Sequence, residues 1–279
     1  MNKPVYKIKG NALEKIFKKK KVVIGVVHLK PLPGSPNYNG EAIENIYQAA
    51  KEDSNHYLKG GVDGLIFENH GDIPFLKPEK IGYETVGIIA VIADRLRNET
   101  KMPIGINILA NGAIPAIAVA KSSGASFVRI NEWVNAYIAN EGFVEGNAAE
   151  AARYRSWIRC EDVKLFTDVH VKHGAHAIVA DRSITELARD NEFFGADVLI
   201  ATGQRTGDSP TIEEVKEIKE ASHLPLIIGS GASLDTELDI FKASDGVIVA
   251  SSLKYDGVWW NPVDPNRVSK FMSLMEKIR

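Results

Sequence analysis

The chain has 279 residues, of which 44% are hydrophobic and 25% charged, a composition ordinary for a globular protein with a large core. Its formal net charge of -2 gives no global attraction to nucleic acid, so no nucleic-acid partner is predicted. The single cysteine, Cys160, excludes an internal disulfide framework and fits a reducing compartment. No secretory leader is recognisable, and no apolar run reaches the about 20 residues that a bilayer requires. We therefore expect a cytoplasmic protein with no membrane span.

Short β-branched runs alternate with helical patterns along the chain, after a short N-terminal helix at 11–20. The predicted strands are Val22–Leu29, Val62–Phe67, Ile104–Leu109, Phe127–Ile130, Val163–Val169, Val198–Ala201, Leu226–Gly229 and Val247–Ala250. The predicted helices are Glu41–Lys59, Glu84–Arg97, Ile114–Lys121, Ile184–Asp190, Ile212–Ala221, Asp235–Lys242 and Val268–Lys277. This alternation predicts βαβ units, and about eight of them favour a closed (β/α)8 TIM barrel over an open doubly wound sheet. We expect one such α/β domain over residues 1–279.

Two long connections and one basic run each allow two interpretations. The segments 70–81 and 131–162, after the second and fourth predicted strands, are long. Each is either a lid over the barrel mouth or an extra helix on its rim. The run Lys18–Lys21 is interpreted as the solvated end of the first helix, with contact to an anionic membrane surface as the alternative.

The last two predicted strands each run into a turn of small residues. Gly229, Ser230 and Gly231 form the turn at the end of the seventh strand, and Ala250 and Ser251 form the turn at the end of the eighth. In a (β/α)8 barrel these two loops form the usual phosphate site, because small residues let backbone N–H groups approach an anion. A helix beginning after each turn would add its positive N-terminal dipole. The alternative is a pair of tight turns that only need small residues.

The loop after the sixth strand, TGQRTGDSP, has a related composition. Thr202, Gly203, Thr206 and Gly207 could donate further N–H and O–H groups to a phosphate. The alternative is a flexible turn that leads into the next helix. We assign Gly203 to phosphate binding and Thr202 to substrate binding.

Chemically capable side chains occur at the C-terminal ends of nearly all predicted strands, where barrel enzymes place their active sites. So many polar groups at a buried mouth would be costly unless they met a ligand or one another. Proton transfer is assigned to His28, Glu68, Asp168 and His170. Substrate binding is assigned to Asn69, Asn107, Arg129, Asn131, Lys172 and Thr202.

Several of these residues have a second interpretation. Glu68, at the end of an apolar strand, is expected to have the raised pKa of a general base, or else to pair with Arg129. His28 is an acid/base, a ligand donor or a histidine bonded to a neighbouring strand. In TDVHVKHG, strand alternation predicts that Asp168, His170 and Lys172 share a face. That face offers an acid/base pair or part of a divalent metal site, although no HExxH motif is present and no cofactor is required.

The tail YDGVWWNPVD contains the adjacent Trp259 and Trp260. We interpret this pair as packing beneath the last helix. A ligand pocket or a subunit interface lined by the two rings is the alternative.

Taken together, these motifs resemble the BtpA/SgcQ family. The matching segments are GVVHLKPLPGSP, GVDGLIFENHGDIPF, GINILANGAIPAIAVAKSSGASFVRIN, TDVHVKHG, GADVLIATGQRTGD and LPLIIGSGASLDTELDIFKASDGVIVASSLKYDGVWWNPVD. The resemblance implies a barrel related to the ribulose-phosphate-binding barrels. One family member is linked to photosystem I biogenesis in cyanobacteria, and another is encoded in a bacterial carbohydrate-utilisation cluster. Ala250 departs from the pattern, because related phosphate barrels often have glycine there.

Two hypotheses about function follow. The first is an enzyme of isomerase, epimerase or lyase type that acts on a small phosphorylated sugar or related metabolite. The second is a non-catalytic assembly or stability factor that acts through its surface. By analogy with other such barrels, we also expect a homo-oligomer.

Overall fold

The computed structural model describes residues 8–203, 205, 207–236 and 238–279. Thr206, one of the predicted phosphate-loop residues, lies outside them. The strands, numbered in chain order, are β1 Val22–His28, β2 Gly64–Glu68, β3 Ile104–Asn107, β4 Phe127–Ile130, β5 Ala136–Ala139, β6 Gly142–Glu145, β7 Lys164–Asp168, β8 Val198–Ala201, β9 Leu226–Ile228 and β10 Gly246–Val249. The α-helices are α1 Ala12–Phe17, α2 Ile43–Gly60, α3 Tyr83–Thr100, α4 Ala113–Ser123, α5 Ala148–Trp157, α6 Ile184–Phe193, α7 Ile212–Ala221, α8 Leu238–Ala243 and α9 Pro265–Met275.

Eight parallel strands close into a barrel in the order β1-β2-β3-β4-β7-β8-β9-β10, and β10 pairs back to β1. The predicted (β/α)8 fold is therefore confirmed. Alternation along β1 shows how the apolar runs are used. Val22, Ile24 and Val26 face the barrel interior, while Val23 and Val27 pack against the surrounding helices. A strand buried on both faces must be apolar at every position, as the sequence indicates.

Helix α1 covers the end of the barrel where the strands begin. Its N-cap Asn11 accepts hydrogen bonds from the N–H groups of Leu13 and Glu14. Leu13 and Phe17 are buried in the barrel-interior core, and the Phe17 ring meets Phe127 edge-on at 5.8 Å. This helix closes the barrel at the end opposite the predicted site.

Lysines of the basic run after α1 contact other parts of the same chain. The helix ends at Phe17, so the prediction that it continues to Lys20 is wrong. Lys19 forms an ion pair of 2.6 Å with Asp63. The Nζ of Lys21 donates to the carbonyl oxygens of Phe241 and Lys242, each at 2.8 Å. These contacts anchor the entry to β1.

The two long connections differ from each other. The segment after β2 contains two short 3-10 turns, His70–Asp72 and Pro78–Lys80. The segment after β4 contains the antiparallel hairpin β5–β6 and then α5, which is the regular helix of the fourth βα unit. The element added to the barrel there is a hairpin, and the alternative of an extra helix on the rim is wrong.

None of the helices in the described ranges combines the length and apolar character that a membrane crossing needs.

Candidate active site

The C-terminal ends of the barrel strands surround a cavity with two adjoining parts. The first, which we call the turn side, is lined by the loops after β9 and β10 together with His28. The second, the hairpin side, is lined by Asn107, Asn131 and residues of the β5–β6 hairpin. Four side chains line both parts: Glu68, His70, Arg129 and Lys172. A ligand that spans the cavity therefore passes over these four groups.

The turns on the turn side leave backbone donors available. In the part of the chain that the structure describes, the N–H groups of Ser230, Gly231, Ser251 and Ser252 donate to no protein acceptor. Gly229 is different, since its N–H donates to the carbonyl oxygen of Ala201 at 2.8 Å. Free N–H groups that converge on a cavity are a frequent means of binding an anion.

Two features of the backbone require glycine at position 231. Its φ of +68° lies in the left-handed region that favours glycine. A Cβ at this position would lie 2.2 Å from backbone atoms of Asp208 and Ser209. The turn after β9 therefore packs directly on the loop after β8, which keeps Gly231 and its N–H group in place.

The sequence predicts a helix after these turns, but neither turn runs directly into a regular helix. Helix α8 begins only at Leu238, and the turn after β10 continues as the short 3-10 segment Ser251–Leu253. The expectation that a helix dipole supports the anion at each turn is wrong. Any attraction of an anion to these turns would come from the N–H groups and from the nearby cations.

Lys172 supplies one of those cations. Its Nζ lies 3.3 Å from the Oγ of Ser230, in the turn after β9. Burial, reinforced by the positive charge of Arg129, lowers the pKa of Lys172 to about 8. This lysine can therefore hold an anion at neutral pH and can also exchange a proton close to neutrality.

Glu68 and two histidines form a compact cluster at the ends of β1 and β2. The Nδ1 of His70 lies 2.9 Å from Glu68 Oε1, and the Nε2 of His28 lies 3.7 Å from the same atom. The two imidazole rings are stacked, with centroids 4.4 Å apart. Among the described residues, these three form the group whose donor atoms lie close enough together to hold a metal ion.

The pKa of Glu68 is shifted in the direction opposite to the predicted one. Burial opposes its ionisation, but the hydrogen bond with His70 and the charges of His70, His28 and Arg129 outweigh burial and lower the pKa of Glu68 to about 2. The expectation of a raised pKa is therefore wrong. Burial, with the neighbouring His70, also lowers the pKa of His28 to about 3. The cluster thus presents an ionised carboxylate beside a neutral imidazole.

Trp259 stands against this cluster and not beneath the last helix. Its carbonyl oxygen accepts a hydrogen bond from the Nδ1 of His28 at 3.1 Å. Its ring meets that of His70 edge-on, with centroids 4.5 Å apart. Trp260 is 69% exposed. The interpretation of the pair as packing beneath the last helix is wrong, and for Trp259 the structure supports the pocket alternative.

Arg129 pairs with Asp168, not with Glu68. Its Nε and Nη2 donate to the two carboxylate oxygens of Asp168 at 3.0 and 2.9 Å. The Nδ2 of Asn107 donates to the Arg129 carbonyl at 3.2 Å and to Asn131 Oδ1 at 3.3 Å. The two bonds to the buried Asp168 hold the guanidinium in a fixed orientation at the cavity.

Some predicted residues lie away from the cavity. Strand β7 ends at Asp168, so the alternation expected to continue to His170 does not apply, and His170 instead packs on His176 with ring centroids 3.7 Å apart. Thr202 donates to the carbonyl of His170. Asn69 braces its own loop, since it binds Asp72 and the N–H of Leu109. Gly203 packs closely against the backbone of Asp208.

Two residues near the site were assigned no role from the sequence. His70 is one, although it lies only two residues beyond Glu68 in FENHGD. Glu132 is the other: it is 5% exposed, and its Oε2 has no hydrogen-bond partner among the described residues. Burial, with the negative charge of Asp168, raises the pKa of Glu132 to about 9. Glu132 lies between β4 and β5, where strand alternation gives no prediction of burial.

The barrel and its polar mouth define the class of protein. Solved structures of similar fold include phosphoribosylanthranilate isomerase from Pyrococcus furiosus, with a TM-score of 0.56 and 11% identity over 92% of this chain and 100% of that one. Orotidine 5'-phosphate decarboxylase from Pyrococcus horikoshii aligns with a TM-score of 0.53 and 12% identity, over 91% of this chain and 99% of that one. At such identities the likeness shows the fold alone, that of a (β/α)8-barrel protein.

The chain belongs to the BtpA family, whose profile matches residues 19–277. The photosystem I biogenesis protein BtpA of Synechocystis is 39% identical, over 91% of this chain and 87% of that protein. A mitochondrial protein of Caenorhabditis elegans is 36% identical, over 92% of this chain and 94% of its own length. The resemblance found in the sequence motifs is therefore confirmed.

Proposed function

We propose that this protein is an enzyme that acts on a small phosphorylated sugar or related metabolite, by isomerisation, epimerisation or aldol-type cleavage. One observation carries the proposal: two small-residue turns, whose N–H groups at Ser230, Gly231, Ser251 and Ser252 have no acceptor among the described residues, line the same cavity as a set of ionisable side chains. A phosphate at the turns would place the carbon chain of its ligand over Glu68, His70, Arg129 and Lys172.

The roles we propose follow from position. Ser230, Gly231 and Ser251 would bind the phosphate through their N–H groups, with Lys172 as counter-ion. Arg129 and Asn107 would bind substrate oxygens on the hairpin side. Lys172 would exchange the protons of the substrate, and the His28–Glu68–His70 cluster would polarise it. Asp168 would act through Arg129, which it orients.

The three reaction types share one chemical demand. Each removes a proton near a carbonyl group and stabilises the oxyanion that results. Cations and N–H donors around a cavity that also contains ionisable groups suit that demand. The fold neighbours named for an isomerase and a decarboxylase of phosphorylated compounds are consistent with such a ligand.

The binding part of the proposal is tested with the purified chain by thermal shift and calorimetry against inorganic phosphate, sugar phosphates and the matching unphosphorylated sugars. A ligand at 100 times its dissociation constant stabilises the native state by about 2.7 kcal/mol. Gly231→Val should abolish this effect because its side chain collides with the 208–209 backbone. Gly40→Ala is the matched control, because Gly40 also has a positive φ, +85°, but has open space around its Cβ position. Equal stabilisation by phosphorylated and unphosphorylated sugars would contradict the phosphate site.

The chemical part is tested by incubating the sugar phosphates that bind with the protein in D₂O and following them by NMR. Deuterium incorporation next to the carbonyl, or a new isomer, is expected with the wild type and not with Glu68→Gln. The contrary result, binding without exchange or turnover of any ligand, would favour a sensor or an assembly factor. The name of the Synechocystis relative supports that second candidate.

A further inference from the structure

We propose that His28, Glu68 and His70 bind one divalent transition-metal ion, of the class of Zn²⁺, Mn²⁺ or Co²⁺, at the wall of the cavity. This inference rests on the geometry of the three side chains, so the site stands whether or not the ligand is phosphorylated. Only the use of the ion on a sugar phosphate rests on the proposed function.

The donor atoms are already assembled. One ligand atom from each residue lies within 4.8 Å of the other two, and both histidines approach the same carboxylate oxygen. Metal–ligand bonds of about 2.0–2.2 Å place neighbouring donors roughly 3–3.5 Å apart. Small side-chain rotations therefore suffice to bring the three donors around an ion. The backbone of β1 and β2, paired from Ile24–Gly64 to His28–Glu68, fixes two of the three residues.

His28 is oriented as a metal ligand should be. Because the Trp259 carbonyl can only accept a hydrogen bond, the Nδ1 of His28 must carry the proton. Its Nε2 then has a free lone pair, and this is the nitrogen that faces Glu68. A hydrogen bond from the outer ring nitrogen to a backbone carbonyl is a common support of metal-binding histidines. The Trp259 indole also packs against the His70 ring, with centroids 4.5 Å apart.

The donor set selects the kind of ion. Two imidazoles and one carboxylate suit first-row transition metals, whereas Mg²⁺ and Ca²⁺ prefer oxygen ligands throughout. All three side chains line the turn side of the cavity. The remaining coordination positions therefore point to the space where a ligand would lie. There an ion could polarise a carbonyl or hydroxyl oxygen.

Other histidines in the described ranges lack this arrangement. His223 lies 3.2 Å from Glu192, but its side chain is 45% exposed and no third donor completes the pair. That pair provides a matched control, because it reproduces one histidine–carboxylate contact without the second imidazole.

The test is a calorimetric titration of the chelator-treated full chain with Co²⁺ and, separately, with Mg²⁺, in the absence of phosphate. We expect one Co²⁺ per chain and no comparable binding of Mg²⁺. Glu68→Gln and His70→Gln should each weaken Co²⁺ binding by at least about 100-fold, the upper end of the cost of losing a supporting hydrogen bond alone. His223→Gln should bind as the wild type does. Unchanged affinity in Glu68→Gln and His70→Gln, or no stoichiometric binding by the wild type, would overturn the proposal.

A second measurement needs no substitution at the cluster. Zn²⁺ should shift the imidazole NMR signals of His28 and His70 in the wild-type protein and leave that of His223 in place. Shifts confined to other histidines would also overturn the proposal. Gly231→Val separates the two proposals, because it should lose phosphate binding and still bind Co²⁺. If the wild type binds Co²⁺ but no sugar phosphate, the proposed function has failed. If it binds a sugar phosphate but no Co²⁺, the metal proposal has failed.

Discussion

Arg129 and Asp168 form two parallel hydrogen bonds, of 3.0 and 2.9 Å, between neighbouring strands β4 and β7 of the barrel. The side chain of Asp168 has no solvent exposure, and that of Arg129 is only 6% exposed. The pair is therefore the fixed base of the cavity, and the guanidinium is held in one orientation beneath any ligand.

Asp168→Asn should lower the free energy of unfolding by about 3 kcal/mol, because it leaves the guanidinium buried without its opposite charge. It should also weaken phosphate-ligand binding, since Arg129 loses its fixed orientation. Urea denaturation and calorimetry measure the two effects. The double variant with Arg129→Met should cost less than the sum of the single changes, because the two side chains interact directly. Strict additivity would contradict a coupled pair.

Lys172 should make anion binding depend on pH. Its pKa is lowered to about 8, chiefly by burial and then by Arg129, while Glu68, Asp168 and Asp208 oppose the shift. Below pH 8 the ammonium is charged and attracts a phosphate. Above it the charge is lost, so affinity falls as pH rises. A sugar phosphate, with a second pKa of about 6, keeps its own charge over this range.

Calorimetry from pH 7 to 10 should therefore show the dissociation constant of a sugar phosphate rising toward about tenfold per unit above pH 8. Lys172→Met should bind weakly at every pH. Lys172→Arg, which cannot lose its proton, should keep the affinity constant across the same range. The same pH dependence in all three proteins would show that another group is responsible.

Glu132→Gln should stabilise the protein at alkaline pH. The folded state keeps a proton on this buried acid up to about pH 9, while the ordinary pKa is 4.5. Between these values the unfolded chain binds fewer protons, so the free energy of unfolding decreases as pH rises. Glutamine has no proton to lose, and we expect a gain on the order of 2–4 kcal/mol at pH 8.

Denaturant melts of wild type and Glu132→Gln at pH 5 and pH 8 measure this effect. The difference between the two proteins should grow with pH. Glu150→Gln, at an exposed position of α5, is the control and should change little. A difference that stays the same at both pH values would show that Glu132 is already ionised in the folded protein.

Leu13→Ala should lower the stability of the protein without changing ligand binding at the cavity. Leu13 is fully buried in the core that α1 shares with the barrel interior. Its truncation should cost about 2–5 kcal/mol of unfolding free energy. Phosphate and Co²⁺ affinities, measured well below the melting temperature, should match those of the wild type, because α1 lies at the far end of the barrel. Loss of either affinity would mean that the two ends are coupled.

Elements with strong local signals were predictable from the sequence. The predictions for β4, β8 and α7 coincide with the observed bounds, because each is an apolar or amphipathic run with turn residues beside it. The hairpin β5–β6 was not predicted. Its strands have four residues each, and several of their side chains are exposed, so alternation gives little signal.

The site was predictable by position but not by side-chain direction. The rule that polar groups gather at the strand ends led to Glu68, Arg129 and Lys172, which all line the cavity. Beyond the last paired residue the two-residue period no longer applies, so His170 could not be placed from sequence. The lowered pKa of Glu68 depends on His70, whose approach depends on the fold of the next turn.

Among the described residues, α1 covers the end of the barrel where the strands begin, and the cavity lies at the other end. A ligand would approach on the side of the β5–β6 hairpin and of the loops after β9 and β10. Under the proposed function, substrate would enter and product would leave at the same end of the barrel, past the hairpin that lines one side of the cavity.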